Sequence, residues 1–185
     1  MDFIDLLLVG IVLLFVVALV LIFVYFYNRI RVLQNRIEEA WAQIDVQLKK
    51  RYDLLPNLVE TVKGYAKHEK EVFSKVSDAR ERMMSGSREE RVSASNELTA
   101  TLKTLFAISE NYPQLKASDN FKLLQEQLEG IENKIAYARQ YYNNSILNFN
   151  NVITTIPGKW FAGGKVKQGF IEIPDVERKS IKVEF

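Results

Sequence analysis

The chain has 185 residues, 48% hydrophobic and 26% charged, the profile of a folded protein and not of a disordered or fibrous one. It contains no cysteine and one histidine, His68, which excludes disulfides, thiol nucleophiles, zinc fingers and multi-histidine metal sites, so neither metal nor cofactor is expected. The 25 basic and 23 acidic residues give a net charge of +2, too small to point to nucleic acid.

From Leu6 to Asn28 no charged residue occurs, and nearly every side chain is Leu, Val, Ile or Phe. At about 1.5 Å per residue this stretch spans a ~30 Å hydrocarbon core, which predicts a transmembrane anchor over residues 1–28 that meets the bilayer through residues 6–28. A cleaved signal peptide needs a basic start and a small-residue cleavage site. Here the start carries Asp2 and Asp5, and the apolar run ends in Tyr25, Phe26 and Tyr27. Arg29, Arg31 and Arg36 follow at once, whereas no Lys or Arg precedes the span. Positive charge stays on the cytoplasmic side, so the expected topology is a single-pass protein of the cell membrane with its amino terminus outside and its carboxy-terminal domain cytoplasmic.

Residues 29–156 carry apolar side chains three and four apart, the helical period, and predict a cytoplasmic antiparallel bundle of three to four long helices. The first stripe is Ile30, Leu33, Ile37, Ala40, Ile44 and Leu48, with Trp41 beside it. Pro56 predicts a kink or restart near Leu55, and Gly64–His68 a second weak point. Helicity resumes through Val72, Phe73, Val76 and Ala79. Ser85-Gly86-Ser87 reads as a turn, and Ser87 with Glu90 three residues later as a capping box. The next helix carries Leu98, Leu102, Leu105 and Ser109 and ends before Tyr112-Pro113. Ser118-Asp119 then caps a helix whose seam of Phe121, Leu124, Leu128, Ile131, Ile135, Ala138, Tyr142, Ser145, Phe149, Val152 and Ile156 is heptad-like, as in a coiled coil.

At Pro157 the composition changes, and residues 157–185 hold four of the eight glycines and two of the four prolines. No helix is expected in this tail. Phe170–Ile173 and Ser180–Phe185 alternate polar and apolar residues, which predicts a small β element. The fold class is therefore all-α with a loop-rich tail.

Three short motifs dissolve on inspection. His68-Glu69 lacks the second histidine of a zinc protease, because Val72 stands in its place. Gly158–Lys165 has Lys159 and Val166 where a phosphate loop has other residues, and the sequon at Asn143-Asn144-Ser145 lies inside a long helix.

Residues 40–59, AWAQIDVQLKKRYDLLPNLV, resemble the hallmark block of the LemA family. Residues 62–69 (VKGYAKHE), 110–117 (ENYPQLKA), 132–139 (ENKIAYAR) and the pair Tyr142-Asn143 resemble its remaining blocks. The resemblance covers nearly the whole chain and implies a bacterial single-pass membrane protein with a helical-bundle domain and no established enzymatic activity. It also implies a membrane setting for any partner, since relatives are encoded near membrane proteases and one branch occurs in magnetosome membranes.

Within these blocks Asp45, Arg51, Asp53, Asn57, His68, Glu110, Asn111, Glu132, Asn133, Arg139 and Asn143 form a candidate polar network. It either cross-links the helices, with Asp45 or Asp53 paired to Arg51 or Arg139, or presents a docking face. The functional expectation is a non-enzymatic, membrane-anchored scaffold or adaptor that binds membrane or cytoplasmic proteins. A homo-oligomer that organises the bilayer is the alternative. A hydrolase built on Asp45, Asp53 or His68 would require those groups to converge in one cleft.

Overall fold

The computed structural model describes residues 3–66 and 70–171. All regular structure among them is helical: α1 (Phe3–Lys63), α2 (Lys70–Ser85), α3 (Arg88–Ser109), α4 (Pro113–Ala117) and α5 (Asp119–Thr154), with one 3-10 turn at Gly158–Phe161. No strand occurs among the described residues, so the expected β element finds no support. Glu172 and Ile173, and the whole of Ser180–Phe185, lie outside them. The 3-10 turn corrects the expectation of a helix-free tail.

The chain forms two compact units, one of residues up to Ala40 with Tyr141–Phe170, the other containing Trp41–Gln140. In the first unit Ile30, Leu33 and Ile37 are fully buried, as are Ile146 and Phe149 of α5. In the second, Ile44, Leu48, Leu55 and Leu58 of α1 meet a core that includes Met83, Leu98, Leu115 and Phe121. Each such Leu or Ile removed from water contributes about 1.5–3 kcal/mol. The large side chains from Phe3 to Tyr25 are all exposed, as a segment surrounded by lipid would be.

α1 runs through Pro56 without the expected restart, and a backbone account explains how. A proline at 56 cannot donate to the carbonyl of Tyr52, four residues earlier. That carbonyl accepts instead from Arg80 Nε of α2, at 3.3 Å. The orphaned group is satisfied from a neighbouring helix, and the helix continues to Lys63. It ends at Gly64, where the glycine predicted a break.

α2 and α3 form a hairpin around Gly86. The capping box is present, with Glu90 N donating to Ser87 Oγ (3.3 Å) and Ser87 N donating to Glu90 Oε2 (2.7 Å). A Cβ on Gly86 would stand 2.6 Å from the Arg82 carbonyl oxygen and 2.9 Å from Glu90 Cβ. Gly86→Ala is therefore expected to destabilise the protein by about 1–3 kcal/mol, read as a lowered urea midpoint with unchanged slope. An unchanged midpoint would mean the turn relaxes freely.

The buried stripe of α5 follows the expected seam from Phe121 to Phe149, then departs from it. Val152 is half-buried and Ile156 is 68% exposed, while Ile146, Asn150 and Ile153 are buried. A seven-residue repeat drifts about 20° per heptad on a straight helix. After four heptads the drift approaches one residue's rotation, so the inward position passes from the 149/152 row to the 146/150/153 row, and Ile156 lies past the end of the helix at Thr154.

Candidate functional site

Three helices converge on Arg51 within the second unit. Its α1 position lies three residues past Leu48, on the inward stripe, and the side chain is only 2% exposed. A guanidinium there needs partners, because a buried unpaired charge costs several kcal/mol; both terminal nitrogens find them, whereas the buried Nε has no hydrogen-bond acceptor. Nη1 donates to Ser95 Oγ (2.9 Å) and to the Ser95 carbonyl (3.2 Å) on α3. Nη2 donates to Thr99 Oγ1 (3.0 Å) and pairs with Glu132 Oε2 of α5 (2.7 Å). Thr99 Oγ1 lies 3.0 Å from both Glu132 Oε1 and the Ser95 carbonyl. Burial lowers the Arg51 pKa to about 10, against the attraction of Glu132, and the positive charge of Arg139 pushes in the same direction as burial. The group stays charged at neutral pH, at a desolvation cost that Glu132 offsets only in part.

A cavity of about 290 Å³ opens beside this network, lined by Arg51, Thr99 and Glu132 at one end and by Leu102, Phe106 and Leu128 along its wall. Its charged rim, Lys103 and Glu129, is balanced in sign. With the Ser95 and Thr99 hydroxyls held between a guanidinium and a carboxylate, the arrangement is suited to fixing helix register.

The structure brings together Arg51 and Glu132 of the expected network, with Arg139 near enough for its charge to act on Arg51, and gives Asp45, Asp53 and Glu110 other partners. Asp45 pairs with Arg91 and not with Arg51. Asp53 pairs with Lys49 on its own helix, at 3.0 Å and largely exposed. The expected pairing of these aspartates with Arg51 is thus corrected: eight residues apart, about 12 Å along the helix, they face different partners and form no common carboxylate site. Arg139 is buried, and Asn143 of the first unit is half-buried. Asn57, Asn111 and Asn133 are exposed. Glu110 pairs with Lys116 beside α4. His68 lies outside the described residues.

Four residues not singled out from the sequence complete the picture: Ser95, Thr99, Arg80 and Arg91. Ser95 stands three residues before Leu98, so a hydroxyl on an apolar stripe was a visible sign of a buried polar partner. Arg91 pairs with Asp45 and also donates from Nε to the Met83 carbonyl at 2.9 Å, satisfying an orphan in the last turn of α2. Arg88 lies over the Trp41 ring at 5.1 Å.

Fold and network together define a helical protein with one long apolar amino-terminal helix and a folded unit pinned by a buried arginine. The chain belongs to the LemA family, whose profile it matches over residues 40–185. It is 25% identical to the magnetosome protein MamQ of Magnetospirillum gryphiswaldense, over 74% of this chain and 60% of that protein. It is also 25% identical to magnetosome proteins MamQ 1 and MamQ 2 of Paramagnetospirillum magneticum, over 86% of this chain and 70% of each. The first of these matches spans less than two thirds of its relative's length. Membership fits a membrane-associated helical protein.

Proposed function

We propose that this protein is a non-enzymatic, single-pass membrane adaptor whose helical bundle is held at the cytoplasmic face and binds other proteins there. The observation that carries this reading is α1, an uninterrupted helix whose first half exposes a charge-free apolar surface and whose second half contributes Arg51 to the folded unit. The basic flank of Arg29, Arg31 and Arg36 supports the orientation. Similarity to magnetosome proteins supports a membrane setting. The exposed side chains of Asn57, Asn111 and Asn133, which the core does not need, are candidate partner contacts.

Topology is testable with one engineered thiol, since the chain has no cysteine. Ser85 is exposed and, unlike Ser87, has no part in the capping box. Ser85→Cys is expected to resist a membrane-impermeant maleimide in intact cells and to react after lysis; labelling in intact cells would reverse the orientation. In-cell crosslinking of the tagged full-length protein, followed by mass spectrometry, tests the adaptor role. Discrete foreign partners support it, whereas ladders of this chain alone would replace it with homo-oligomeric assembly.

A further inference from the structure

We propose that the segment Ile156–Phe170 is a second membrane contact, an interfacial motif that binds the headgroup layer of an anionic phospholipid bilayer beside the end of the α1 span. It rests on the reading of α1 as a membrane span. The placement comes from Phe161, whose ring lies face to face with Phe26 (centroids 5.5 Å apart, planes at 12°) and edge-on to Phe23 (5.9 Å, 72°). Both partners belong to the last turns of the charge-free stretch, about 3 Å and 8 Å along the axis before Asn28. The 3-10 turn therefore packs where hydrocarbon gives way to headgroups.

The side chains around it suit that depth. Trp160 is 71% exposed, Val166 79% and Phe170 53%, and Ile156 is also open. An indole with a polar N–H and an apolar body is the preferred residue of this layer. Lys159 and Lys167 are exposed and Lys165 is half-buried, with no Asp or Glu anywhere between Glu132 and Glu172. Together with Arg29 and Arg31 they make a basic cluster without a counter-charge in the segment, which anionic headgroups supply.

Much of the backbone around the 3-10 turn is paired internally, which lowers the cost of a neighbour of low dielectric. Lys159 N donates to the Thr155 carbonyl (2.8 Å), Trp160 N to Pro157 (3.1 Å) and Lys165 N to Ala162 (3.1 Å). The buried Asn150 amide clamps Gln168 from both sides, accepting from its N and donating to its carbonyl, each at 2.9 Å. Gly158 passes so close to the Val152 carbonyl that a Cβ would lie 2.2 Å from it, which packs the turn tightly onto the end of α5. A protein partner could also cover an apolar surface. The depth beside Phe23 and Phe26, and a purely basic rim, favour lipid.

The chain has two tryptophans, Trp41 and Trp160, so Trp41→Phe leaves Trp160 as a sole reporter. Full-length Trp41→Phe protein is reconstituted in vesicles of phosphatidylcholine with phosphatidylglycerol. Bromines placed high on the acyl chains are expected to quench Trp160 emission strongly, with iodide in the buffer having little effect. Lys159→Gln, Lys165→Gln and Lys167→Gln combined are expected to reduce the enrichment of phosphatidylglycerol over phosphatidylcholine around the protein roughly tenfold. Trp160 open to iodide and insensitive to brominated lipid would overturn the proposal and mark the segment as solvent- or protein-facing. Quenching by lipid with unchanged lipid selectivity would overturn its electrostatic half. Carbonate extraction separates this from the span itself: protein released by carbonate defeats the anchor reading, whereas retained protein with iodide-accessible Trp160 defeats only the second contact.

Discussion

Glu132→Ala is expected to lower the stability of the detergent-solubilised full-length protein by about 3–5 kcal/mol, because it strands the Arg51 guanidinium in a site that is 2% exposed. In a chain of this size that corresponds to a fall in melting temperature of roughly 10 °C. Circular dichroism at 222 nm reads it directly. The pair need not stabilise the fold on balance. Burial outweighs the pull of Glu132 and leaves Arg51 with a pKa of about 10, well below the ordinary value of an arginine open to water. The unfolded state thus holds this proton more tightly, so the cost of the buried charge is present throughout the neutral range and eases only as pH rises through about 10. Arg51→Met with Glu132→Leu should accordingly recover most of the stability lost in Glu132→Ala. A double variant no more stable than Glu132→Ala would show that the ion pair is a net stabiliser and that desolvation is the smaller effect.

The long helices were legible in the sequence because each rests on local signals, whereas the single turn of α4 at Pro113–Ala117 was not anticipated. Ile30 to Leu48, Leu98 to Ser109 and Phe121 to Phe149 lie where apolar spacing puts them, and the Ser87–Glu90 capping box forms as its spacing requires. Partner choice was not legible. Arg51 reaches Glu132 across 81 positions and Ser95 across 44; the helical period turns Asp53, two residues on, and Asp45, six back, away from Arg51, but nothing in a single sequence picks Glu132 from the distant carboxylates. The row change on α5 follows from helix geometry, but where it occurs depends on what the helix packs against. Phe161 stacking on Phe26 is likewise a contact between distant segments, and neither ring is marked for it by neighbouring residues.

Pro56 shows how such a distant contact can rewrite a local rule. A proline in a helix interior costs about 3 kcal/mol relative to Ala, in part because a carbonyl loses its donor. Here Arg80 Nε supplies a substitute for the Tyr52 carbonyl, so part of the local cost has moved into a tertiary contact between α1 and α2. Pro56→Ala should then stabilise the protein by about 1–3 kcal/mol, since residue 56 can donate to Tyr52 once more. Arg80→Met in the natural sequence should destabilise by about 1–3 kcal/mol, because the part-buried carbonyl is left without a partner. In the Pro56→Ala background the same Arg80→Met change should cost well under 1 kcal/mol, since the helix then satisfies its own carbonyl. The four proteins form a double-mutant cycle, measured by urea denaturation, with an expected coupling of about 1 kcal/mol or more. Additive effects would show that Arg80 acts through its packing alone, and that α1 tolerates Pro56 for a reason other than the rescued carbonyl.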